Sequence, residues 1–101
     1  MKIEFVRSGG FAGIRLKASI DTQQLLAEQA STLEKLIEES GFFDLPAQIK
    51  PTSPGPDRFE YQVSITSNGQ THSVDVSEAV APERVRPLLD FLTTIAMSGK
   101  K

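Results

Sequence analysis

Apolar and polar residues alternate through the first twenty positions. Ile3 and Phe5 alternate with Lys2 and Glu4, and Ile14, Leu16, Ala18 and Ile20 with Arg15, Lys17 and Ser19. A period of two marks a strand with one covered face. Between the runs lies Ser8-Gly9-Gly10-Phe11-Ala12-Gly13, whose glycines can take up positive φ. The pattern predicts a hairpin. A loop from Gly9 to Ala12 sets Phe5 opposite Leu16 and Ile3 opposite Ala18, with all four on one face.

The alternation returns at Phe59, Tyr61, Val63 and Ile65, set among Glu60, Gln62, Ser64 and Thr66. Asn68-Gly69 follows, a pair suited to the type I′ turn because both central residues need φ > 0. Closing on Ser67 and Gln70 pairs Ile65 with His72, Val63 with Val74 and Tyr61 with Val76. Every apolar residue again falls on one face.

Two segments show helical spacing instead. Leu26, Ala30, Leu33, Leu36, Ile37 and Ser40 form one stripe, with Gly41 as its stop. Asp21 or Thr22 is placed to cap a start near Gln23, although Gln23-Gln24-Leu25 reads equally as loop. Val85, Leu88, Leu89, Leu92 and Ile95 form the second stripe, ending at Ser98-Gly99. Pro87 does not suit a helix interior, so Pro82–Arg86 is expected as a tight turn and the regular helix from Pro87. Phe43 to Arg58 holds four of the six prolines and reads as an extended connection. Each half has only two strands and one helix, too little for its own core. The expectation is therefore a single α+β domain over residues 1–101 with order ββαββα. It has a four-stranded, mainly antiparallel sheet, and both helices pack on the face carrying Phe5, Leu16, Val63 and Val74.

Composition narrows the function. The 101 residues are 39% hydrophobic with a net charge of −2, which argues against disorder and against nucleic acid as the main partner. Without cysteine there is no disulfide framework, thiolate zinc site or cysteine nucleophile. No apolar run approaches the ~20 residues that cross a bilayer. Lys2, Glu4 and Arg7 interrupt any signal-peptide core, so no membrane partner and a cytoplasmic location are expected.

Candidate chemistry is sparse. His72, the one histidine, falls on a strand beside the turn and is expected to be structural, since Asp75 points to the opposite face. Glu38-Glu39 reads as solvated helix charge. No metalloprotease, hydrolase or nucleotide motif occurs, so no catalytic, metal or cofactor residues are assigned and an enzyme is not expected. The Ser8–Gly13 turn is either a plain hairpin with Phe11 over the sheet edge or a shaped loop for a partner. Leu26 continues the helical stripe and reads as core. Leu25 lies about 100° away, and either packs under the long loop or stands as an exposed apolar anchor.

Four segments carry a resemblance: R-S-G-G-F-A-G-I at Arg7–Ile14, G-F-F-D-L-P-A at Gly41–Ala47, R-F-E-Y-Q-V-S-I at Arg58–Ile65 and V-R-P-L-L-D-F-L at Val85–Leu92. In this order they resemble the emfourin family, protein inhibitors of protealysin-like (thermolysin-type) zinc metallopeptidases. The resemblance implies a cofactor-free inhibitor, monomeric when free, that inserts an apolar side chain into the peptidase cleft. The inhibitory surface is expected at Asp21, Thr22, Gln23, Gln24, Leu25 and Leu26, with Leu25 inserting. Gly9, Gly10, Phe11, Ala12 and Gly13 are held in reserve. The alternative is a non-inhibitory interaction module, such as a homodimer that pairs a sheet edge.

Overall fold

A computed structural model describes residues 1–9, 15–50 and 59–98. Along the chain run β1 (Lys2–Gly9), β2 (Leu16–Asp21), α1 (Ala27–Ser40), β3 (Gln48–Ile49), β4 (Phe59–Ser67), β5 (Gln70–Ser77) and α2 (Arg86–Ser98). Single 3-10 turns occupy Thr22–Gln24, Phe42–Asp44 and Glu78–Val80. The strands form one sheet in the order β2-β1-β4-β5-β3. β1 pairs antiparallel with β4 at its centre, which joins the two ββα halves into one structure.

The β4–β5 hairpin has the expected register, with Ile65 opposite His72, Val63 opposite Val74 and Tyr61 opposite Val76. Asn68 (φ 53°) and Gly69 (φ 80°) supply the two left-handed residues its turn requires. The first hairpin differs from expectation by two residues: Phe5 faces Ala18, Ile3 faces Ile20 and Arg7 faces Leu16. A slip of two keeps every side chain on its own face, so alternation cannot detect it. Gly10 to Ile14, within the expected loop and strand start, lie outside the described residues.

The sheet is also larger than expected, and mixed. Gln48 and Ile49 form a fifth strand parallel to β5, with the Asp75 amide donating to the Ala47 carbonyl at 2.8 Å. Two residues between prolines are too few to show an alternation, which is why the expected sheet had only four strands.

Both helices cover the face anticipated. Leu33 and Ile37 of α1, with Val85 and with Leu88, Leu89, Leu92 and Ala96 of α2, join Ile3, Phe5, Val63, Ile65, Val74 and Val76 in one core. Ser40 is buried there and donates to the Ile37 carbonyl at 2.7 Å. Gly41 ends α1 at φ 66°, its amide reaching the carbonyls of Ile37 and Glu38. Before α2, the Val85 amide closes a turn on the Pro82 carbonyl at 3.0 Å. Pro87 then falls in the first helical turn, where no N–H is required. The opposite face of the sheet is hydroxyl-rich, with Ser64 bonded to Ser73 at 2.6 Å and Thr66 to Thr71 at 2.8 Å.

Candidate functional site

Strand register sorts the loops to the two ends of the sheet. Asp21, Lys2, Thr66 and Thr71 stand in one row across four strands, and Leu16, Arg7, Tyr61 and Val76 in another. The first row leads into the Asp21–Leu26 segment and the Asn68-Gly69 turn. Beyond the second lie Gly9 and Phe59, paired with each other. Asp21 and Gly9 thus stand at opposite ends of the β1–β2 pair, roughly 25 Å apart at about 3.3 Å per residue. Of the reserve loop, only Gly9 (φ 90°) is among the described residues.

At Asp21–Leu26 the backbone is tied at several points. Asp21 closes β2 in extended conformation, and its carboxylate accepts from the Gln23 amide at 3.0 Å. That cap serves the 3-10 turn and not the helix. Thr22 is buried; its amide and its hydroxyl both donate to the Met1 carbonyl, at 3.0 and 3.3 Å. The Leu25 amide returns to the Thr22 carbonyl at 3.3 Å, and the Leu26 carbonyl accepts from Ala30 at 2.9 Å. Gln23 and Gln24 are exposed. Beside the junction, Lys2, Glu4, Ser19, Ile20, Asp21 and Gln24 line an open groove of about 260 Å³.

The two leucines exchange the parts expected of them. Leu25 is half-buried and packs against the core, whereas Leu26 is 73% exposed. The reason is local geometry. Leu25 (φ −85°, ψ 160°) and Leu26 (φ −60°, ψ 149°) are both extended, and neighbours in extended backbone point to opposite sides. The helical projection that put Leu26 on the core stripe does not apply, because α1 begins at Ala27. The sequence does not mark this late start, because no Ser, Thr, Asp or Asn stands immediately before Ala27 to cap it.

Outside the junction, His72 and Arg7 make contacts within the fold. His72 lies beside Phe42 and Phe43, with Nε2 2.8 Å from the Leu45 carbonyl. A carbonyl only accepts, so Nε2 carries the proton, and the contact ties the Phe42–Leu45 segment to β5. At the other end, Arg7 lies 4.3 Å above the Phe59 ring, and its positive charge acts on Tyr61. Tyr61, Glu78, Ala81, Arg86, Leu89 and Asp90 line a cavity of about 80 Å³. Burial pushes the Tyr61 phenol up from its ordinary value, Glu78 adds to this, and Arg7 opposes it. Among the described residues, no three His, Asp or Glu side chains cluster to hold a metal.

A family model described as Emfourin matches residues 5–93, which takes in the junction, α1, the β4–β5 hairpin and most of α2. The chain belongs to the emfourin family. The family consists of inhibitors and not enzymes. Among solved structures the chain is similar to emfourin (M4in) from Serratia proteamaculans, an M4 family peptidase inhibitor. The two are 22% identical over 98% of this chain and 88% of that one, with a TM-score of 0.45. No curated protein matches.

Proposed function

We propose that this protein inhibits thermolysin-type (protealysin-like) zinc metallopeptidases by occupying the active-site cleft with the Asp21–Leu26 junction. Leu26, in place of the Leu25 expected from the sequence, is the inserting side chain. Family membership supports the target class. A single observation carries the assignment of the surface: a largely exposed leucine stands on a backbone hydrogen-bonded on both sides.

The physical argument follows from what such a cleft requires. These peptidases hold a zinc ion with one open position beside an apolar pocket, so a blocker needs a bulky apolar group and no chemistry of its own. Moving a leucine from water into that pocket contributes about 1.5–3 kcal/mol. The bonds at Thr22, Leu25 and Ala30 fix the segment before binding, so little ordering entropy opposes the complex. Leu25 supports the segment from below by packing on the core.

Titrating a thermolysin-type peptidase with the folded protein tests this reading. Stoichiometric inhibition without turnover, unrelieved by excess zinc, is the expected result. Restoration by zinc would point to chelation, and the absence of inhibition would remove the assignment. The Gly9–Gly13 segment remains the alternative surface, with Phe11→Ala as its test.

A further inference from the structure

The two edges of the sheet differ. β3 is two residues long and offers little backbone for another chain to pair with. β2 at the other edge runs for six residues, and among the described residues no strand lies on its outer side. Its sequence, Leu16-Lys17-Ala18-Ser19-Ile20-Asp21, contains no proline and only one lysine, so the usual protections of an edge are thin. Lys17, Ser19 and Asp21 project on the polar face; Leu16, Ala18 and Ile20 project toward the helices.

We propose that the outer edge of β2 pairs antiparallel with β2 of a second copy about a two-fold axis through Ser19, continuing the sheet from one molecule into the other. The charge order of the strand selects this partner and this register. Lys17 meets the partner's Asp21, Asp21 meets the partner's Lys17, and Ala18 meets the partner's Ile20. Centring on Lys17 or on Asp21 would set like charges opposite each other, which destabilises a strand pair. Centring on Ala18 would leave Lys17 opposite a serine and draw Asp21 to Arg15, outside the strand. Lys17 is exposed, and one Asp21 oxygen is engaged with the Gln23 amide, leaving the other for the ion pair. The interface is isologous and closes at two copies, because the two-fold axis pairs the outer edge of β2 with the same edge of the second copy and uses up both. This replaces the monomer expected for the free protein.

Sedimentation velocity on the free protein, up to about 1 mM, tests the proposal without any peptidase. The wild type should show a concentration-dependent dimer. Lys17→Asp and Asp21→Lys each put like charges opposite in a homodimer and should weaken it about tenfold or more. Mixed together, the two variants place aspartates against lysines at both positions, so the mixture should dimerise where each alone is monomeric. Circular dichroism checks that each variant is folded; should Asp21→Lys lose its fold, Lys17→Asp alone decides. A wild type that stays monomeric throughout, or a dimer that Lys17→Asp leaves unchanged, overturns the proposal.

Discussion

At the Lys2 end of the sheet, Leu26 projects into solvent from a backbone tied at Thr22 and Ala30. At the Arg7 end the side chains fold inward: the guanidinium covers Phe59, and Tyr61 is buried against α2. One end fixes its backbone and presents an apolar group, while the other uses its polar groups to close over apolar ones. The difference matters for an inhibitor. A rigid exposed leucine retains its hydrophobic free energy for a partner, whereas a buried tyrosine has already used its own in folding.

The contrast breaks most sharply at Leu26. Leu26→Ala should weaken peptidase inhibition by about 2 kcal/mol, roughly thirtyfold, with the melting temperature unchanged. Unaltered inhibition would transfer the peptidase surface to the other end. Leu25→Ala should behave in the opposite sense. Because this side chain packs on the core, stability in a denaturant titration should fall by about 1–2 kcal/mol, and the folded fraction should inhibit nearly as well.

A smaller effect is expected at Gly69, in the turn that shares the Lys2 end. At φ 80° a side chain is strained, so Gly69→Ala should cost about 1 kcal/mol of stability even though open space surrounds the position. The gentlest probe lies at the closed end. Since the folded state holds the Tyr61 proton more tightly than the unfolded chain does, stability should fall as pH rises past 10. Tyr61→Phe should flatten that alkaline decline, as read by denaturation from about pH 9 to about pH 11. An unchanged slope would mean that the phenol does not drive it.

Residue pattern alone was sufficient for the second hairpin, the two helical stripes, the turn before α2 and the shared apolar face. In each case the decisive signal is local: an Asn-Gly pair, a 3–4 spacing, or a proline that excludes a helix interior. The family, too, was legible in four short segments, because their particular side chains say more than a polarity pattern does. Within the candidate stretch Asp21–Leu26, the two leucines were assigned to the wrong sides. The helical projection through Leu26 assumed a helix that had already begun.

Tertiary contacts decided the rest. The register of the first hairpin depends on where β1 meets β4 and on the length of the turn, and a two-residue slip leaves polarity unchanged. The fifth strand exists because β5 offers an edge to two residues that have no pattern of their own. Leu25 points inward because Thr22 is anchored to Met1, a contact spanning twenty-one residues, and the extended backbone then sends Leu26 outward. Local periodicity determines which residues prefer burial. Which leucine is left exposed depends on where distant backbone groups find their hydrogen-bond partners.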